Sequence, residues 1–245
     1  MPFTLAHPAA VIFTKNKYFN LMGLILGSMA PDFIYFILFN PISNLGHTFL
    51  GFLFLNLPLC YLLNYLINKF IKVPFILNLP FGLSRYYIYL LNYKVNMKST
   101  KNIIVFGYSC ILGMITHVLW DSFTHPSGFF VLNINFLRTN ISFLNFQIPL
   151  FKIIQHGSTL IGILLILIYL NKIKKVDNKH IVSNKLKYHF TAISIQFVVI
   201  IFSYMFFNTF GIGRLVTTFV NGLFIGYLIS SILYINKIST DYDLS

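Results

Sequence analysis

Glutamate is absent from the 245 residues, and aspartate occurs only at positions 32, 121, 177, 241 and 243. Charged residues make up 9% of the chain, against roughly a quarter of an ordinary soluble domain, so a water-soluble globule of this size would lack its polar coat. Cysteine is scarce as well. Cys60 and Cys110 both stand in apolar runs, where a small buried hydrophobe is the usual role; neither a disulfide framework nor a paired-cysteine metal site is expected. No basic residue precedes the first apolar stretch, and His7-Pro8 interrupts it, so a cleaved signal peptide is not expected. There is no internal repeat and no low-complexity linker.

What the chain has is hydrophobicity, at 57% of residues. Five apolar runs, at 48–68, 103–123, 157–170, 189–207 and 214–236, approach the length a tilted helix needs to cross a bilayer. The first forty residues differ. Leu5 to Thr14 and Leu21 to Ala30 are too short to cross, Lys15-Asn16-Lys17 is a polar turn, and Pro31-Asp32 interrupts before Phe33 to Phe39. The expected fold is therefore all-α and polytopic, with about five full spans and a broken or re-entrant N-terminal hairpin. Irregular backbone at membrane depth survives only where protein or a polar cavity surrounds it, so the break points to a site.

The formal charge of +13 raises the question of nucleic acid, and its placement answers it. Lys69, Lys72, Arg85, Lys94, Lys98 and Lys101 form one cluster; Lys172, Lys174, Lys175, Lys179, Lys185 and Lys187 form another. Basic loops beside spans are the mark of the cytoplasmic side, so no nucleic-acid partner is expected. This division gives a membrane-embedded domain over 1–170, a basic cytoplasmic loop over 171–188, and a C-terminal transmembrane hairpin and tail over 189–245. The expected location is a bacterial cytoplasmic membrane, with the C-terminus inside and the loop 124–155 on the other face.

Only Asp32 and Asp121 lie in apolar surroundings. A carboxylate at the centre of a membrane helix costs about 2.5–3.5 kcal/mol on insertion scales, so each needs a partner or a polar cavity. His47, His117, His125 and His156 fall at ends or breaks of apolar runs that this topology gathers at one face, and His7 joins them if the hairpin holds. His117 and Asp121 are four apart and share a helical face, a spacing at which two side chains grip one ion. Asp121 between His117 and His125 can also bridge two ions roughly 3.5–4 Å apart. Pro126 argues for a helix end near Thr124, freeing His125 to fold inward. Imidazoles with carboxylates suit zinc best, with manganese or iron as alternatives. Plainer roles are an N-cap for Asp32 and a structural hydrogen-bonded pair for His117 and Asp121. His180 and His189, beside the basic loop, read as interfacial residues.

The opening Met1-Pro2-Phe3-Thr4-Leu5-Ala6-His7-Pro8-Ala9-Ala10, the Gly27 to Asp32 break, Gly46-His47, the stretch from His117 to Pro126, and Gln155-His156-Gly157-Ser158 together resemble the uncharacterised membrane family DUF4184. That family is in turn distantly similar to membrane-bound metal-dependent hydrolases and to zinc-dependent phospholipase C. The resemblance implies His7, Asp32, His47, His117, Asp121 and His156 as metal ligands, with His125 a further candidate. The phospholipase pattern closes with a His-x-x-x-Glu pair, whereas Leu160 follows His156 here; one or two ions rather than three are expected. The function expected is metal-dependent hydrolysis of a phosphoester in a lipid or lipid-linked substrate, with Asp32 or Asp121 orienting the attacking water. Two alternatives stay open: a metal-ion or proton transporter, and a partner-docking membrane protein.

Overall fold

The computed structural model describes residues 3–14, 16–93, 97, 99–143, 146–176, 185–207 and 211–238. Lys94, Lys98, Asp177, Lys179, His180, Asp241 and Asp243 lie outside them. The architecture is helical throughout, with one short hairpin. A 3-10 turn at Thr4–Ala10 leads to helix α1, Leu21–Met29, after which a 3-10 turn at Ala30–Asp32 breaks the axis and Phe33–Ile37 resumes it. Asn20 caps α1 by accepting from the Gly23 amide at 2.9 Å, satisfying a donor that helix geometry leaves orphaned.

Among the described residues five helices are long and apolar enough to cross a membrane: α2, Phe49–Asn78; α3, Thr100–Thr124; α4, Leu150–Lys172; α5, Lys185–Phe206; and α6, Ile212–Ile238. The protein is an integral, polytopic, all-helical membrane protein. Helix α2 runs beyond the expected 68 because it is continuous through two π turns, Phe52–Asn56 and Ile67–Ile71, each followed closely by a proline, Pro58 or Pro74. A proline removes an intrahelical donor, and a widened turn absorbs the loss. Helix α4 begins at Leu150 rather than 157, so His156 falls inside a helix instead of at its end.

The chain gathers into two compact units. The first comprises residues 1–33, 44–60 and 96–172. Here α1 and α3 approach so closely that a Cβ built on Gly27 would lie 2.1 Å from the Cys110 carbonyl oxygen, and one on Gly113 2.5 Å from that of Leu24. Small residues allow such backbone contact between membrane helices. Between α3 and α4, the segment Phe129–Asn133 and a 3-10 turn at Asn135–Arg138 pack on a small core of Val131, Leu137 and Phe151, followed by the antiparallel strands β1, Asn140–Phe143, and β2, Phe146–Pro149.

The second unit comprises residues 34–43, 61–95 and 173–245. Thr218, Gly222, Gly226 and Ser230 recur every fourth residue of α6, and a Cβ on Gly226 would stand 2.3 Å from the Ala192 carbonyl oxygen of α5. Hydrogen bonds lace the same seam: Ser203 with Thr218 at 3.0 Å, Tyr188 with Ser231 at 2.8 Å, and Ser230 donating to the Tyr188 carbonyl at 2.8 Å. His189 joins this unit's interior, its two ring nitrogens 2.8 Å from the Asn78 carbonyl oxygen and 3.0 Å from the Tyr227 hydroxyl. That pairing accounts for its polar ring without a ligand role.

Candidate metal centre

Among the described residues, the side chains that converge on the two intramembrane carboxylates belong to the first unit. Helix α3 supplies His117 and Asp121 one turn apart; the break after α1 supplies Asp32; the 3-10 turn at Thr4–Ala10 supplies His7; and the turn at Leu45–His47, ahead of α2, supplies His47. Helix α3 ends at Thr124, and His125 takes the extended C-cap position with φ −109° and ψ 145°. That turn folds its Nδ1 back to 3.4 Å from Asp121 Oδ1.

The donor atoms stand at the spacing of a coordination shell. His117 Nε2 lies 3.2 Å from Asp121 Oδ2 and 3.6 Å from Asp32 Oδ1. His47 Nε2 lies 3.6 Å from Asp121 Oδ2 and 3.7 Å from Asp32 Oδ1. His7 Nε2 lies 3.7 Å from Asp121 Oδ1. Donors about 2.0–2.2 Å from a zinc ion stand about 3.3–3.6 Å apart at the corners of a tetrahedron, so these separations fit a small divalent cation. The donors of His7, His117 and Asp121 all lie within 4.8 Å of one another, as do those of Asp32, His47 and His117.

Two observations favour a ligand set over a hydrogen-bonded cluster. Asp32 Oδ1, Asp121 Oδ1, His117 Nε2 and both ring nitrogens of His7 are buried without a hydrogen-bond partner. Buried polar atoms left unmatched cost roughly 1–3 kcal/mol each, and four of these five, all but His7 Nδ1, face the other expected ligands. Two outward-facing atoms, by contrast, are matched. Asp32 Oδ2 accepts from Thr4 Oγ1 at 2.6 Å, and His117 Nδ1 lies 2.8 Å from the Ser28 carbonyl oxygen. A carbonyl can only accept, so this contact puts the His117 proton on Nδ1 and leaves the Nε2 lone pair directed inward. The close approach of α1 to α3 at Gly27 and Gly113 delivers that carbonyl.

His7 stacks on His117 with ring centroids 3.9 Å apart, and the edge of Trp120 meets it at 5.5 Å. Burial lowers His7 to about 3, so its imidazole stays neutral, the form a metal ligand needs. The Trp120 indole donates to Ser158 Oγ at 3.1 Å. The side chains of Asp32 and His117 are sealed, at 1% and 0% exposure, whereas His47 and His125 keep 22% and 21%. Access to the centre therefore lies on the His47 and His125 side.

Of the seven expected ligands, His7, Asp32, His47, His117 and Asp121 come together, and His125 reaches Asp121 alone. His156 is exposed on α4 and belongs to neither group. Ser122 and Ser158, hydroxyls close in sequence to the expected ligands Asp121 and His156, are both held by carbonyls, Ser122 donating to Leu119 at 2.5 Å and Ser158 to Gln155 at 3.2 Å. Sequence reasoning missed Thr4, Ser28 and Asn56. Asn56 is fully buried in the first π turn, and its Nδ2 donates to the Gly46 carbonyl at 2.7 Å, directly before His47. A lone amide in the run Phe52-Leu53-Phe54-Leu55-Asn56-Leu57 was the available signal.

Fold and site together define a polytopic helical membrane protein with a buried histidine and aspartate centre. The family model described as a domain of unknown function, DUF4184, matches residues 1–232, and the chain belongs to that family. No curated protein matches it, and no solved structure does.

Proposed function

We propose that the protein is a membrane-embedded, metal-dependent hydrolase acting on a phosphoester of a lipid or lipid-linked substrate. The observation that carries the reading is the set of buried, unmatched donor atoms around Asp121, spaced for a divalent cation. Zinc suits the donors, being imidazole nitrogens and carboxylate oxygens with no thiolate among them; manganese and iron accept the same set. Asp32, His47 and His117 would hold an ion, as would His7, His117 and Asp121, the two donor sets meeting at His117.

A divalent ion held by these groups supplies Lewis acidity toward a phosphoryl oxygen and a water activated near neutral pH. The remaining chemistry belongs to the chain. Thr4 fixes one oxygen of Asp32 so that the other stays turned inward. Ser28 fixes the tautomer of His117. Asp121 presents one oxygen to each half of the cluster, close enough on either side to orient a water. The partly exposed edge at His47 and His125 is where a substrate's phosphoryl group would meet the centre. Burial of everything behind that edge keeps bulk water from the charges and strengthens their interactions.

The test is release of inorganic phosphate or a phosphorylated head group from a mixed-phospholipid and polyprenyl-phosphate panel by detergent-purified protein, with and without a chelator. Release that the chelator abolishes and added zinc restores supports the reading. Proteoliposomes that conduct a cation yet hydrolyse none of these lipids would replace it with transport.

A further inference from the structure

The connection between α3 and α4 is the longest described stretch between two spanning helices of the first unit, and it is folded. Its helical turns rest on Val131, Leu137 and Phe151, with Phe130, Leu150 and Ile154 packed against them. Phe123 stacks on Phe130 at 4.1 Å, tying the segment to the end of α3. At its start the Gly128 amide donates to the His125 carbonyl at 2.9 Å. A Cβ at Gly128 would stand 2.5 Å from the Ser122 carbonyl oxygen, so the chain can turn this tightly only with glycine there.

This ordered segment points large apolar side chains away from its own core. Phe129, Phe136 and Phe146 are 67%, 69% and 67% exposed, and Leu132 is 53% exposed. Bilayer-facing side chains on a spanning helix need no comment, but Phe136 and Phe146 sit outside every candidate span among the described residues. The stretch leaves one spanning helix and enters the next, so both of its ends lie at one membrane face. Acidic residues are missing from it altogether: none occurs between Asp121 and Asp177. Exposed Arg138 is held by Asn135 Oδ1 at 2.7 Å and the Leu132 carbonyl at 3.3 Å, leaving further guanidinium donors unused. Apolar rings with a fixed cation and no acid match the boundary between phosphate head groups and acyl chains.

We propose that residues 126–143 and 146–149 form an interfacial platform whose occupant is the phospholipid bilayer itself, with Phe129, Phe136 and Phe146 seated below the head groups and Arg138 at the phosphate level. The platform begins one residue after His125, so it lies on the same membrane side as the open edge of the His and Asp cluster. It rests on the membrane architecture and not on hydrolysis.

Depth measurement tests it. Single spin labels at Phe136→Cys and Phe146→Cys, in vesicles of phosphatidylcholine and phosphatidylglycerol, are compared with Leu164→Cys on α4. Native Cys60 and Cys110 are fully buried and do not compete for label. Collision with oxygen should exceed collision with a water-soluble nickel chelate at least several-fold at both sites, with depths between the phosphate level and that of Leu164. Free access of the chelate at both sites overturns the proposal. So does shielding from both quenchers, or dipolar coupling between labels on separate chains, either of which gives the surface to a protein partner.

Discussion

His117 and Asp121 stand one turn apart on α3, with Nε2 3.2 Å from Oδ2, while the other imidazole nitrogen lies 2.8 Å from the Ser28 carbonyl of α1. The pair is thus oriented by a helix it does not belong to. What Gly27 and Gly113 contribute is the closeness of that helix.

Replacing Gly27 with valine should part α1 from α3, because a Cβ there would lie 2.1 Å from the Cys110 carbonyl. Overpacking of this kind costs about 1–3 kcal/mol. Thermal unfolding in detergent should fall by several degrees, and bound metal should fall with it. Gly226→Val, in the α5 and α6 seam, should lower stability similarly while sparing metal content in the protein that remains folded. Equal metal loss in both would refute the division of labour.

Removing a group behind a ligand should weaken metal binding roughly 10–100-fold without abolishing it. Thr4→Val leaves Asp32 Oδ2 unmatched, and Thr4→Ser restores the donor. Asn56→Ala frees the Gly46 carbonyl and loosens His47. Competition titration with a fluorescent chelator reads these affinities; unchanged affinity in both Thr4→Val and Asn56→Ala would mean that the contacts only hold the fold.

The two donor groups predict an uneven response among the histidines. His117→Ala should remove nearly all bound metal. His125→Ala should remove little, because it belongs to neither donor group and its Nδ1 lies nearer the Asp121 backbone carbonyl, at 3.2 Å, than Oδ1, at 3.4 Å. His156→Ala should remove none, since that residue is exposed on α4 and outside both donor groups. Metal lost from the His156 variant would place a ligand where the geometry has none.

Much of this was legible in the chain itself. Long apolar runs announced the five spans, and Pro126 marked the end of α3 and the inward turn of His125. The lone acids Asp32 and Asp121 marked the centre, because uncompensated carboxylates are too costly among lipids to be incidental. The ends of spans were less legible. Polar Lys152, Gln155 and His156 disguised the first turns of α4, and Lys69 and Lys72 disguised the last turns of α2, since long cationic side chains can reach the interface from within a helix. His156 was misleading for the same reason: a helix end would have let it fold inward, and a helix interior turns it outward. Thr4, Ser28 and Asn56 had no comparable signal, as their roles depend on which distant backbone comes within 3 Å.

The most direct measurement is metal content by mass spectrometry of protein purified without chelator and reloaded with zinc, wild type beside His117→Ala with Asp121→Ala. One or two ions per wild-type chain and a near-complete loss in the double variant is the expected result. Equal, substoichiometric metal in the two proteins, with both folded, would contradict a cation at the meeting point of these side chains.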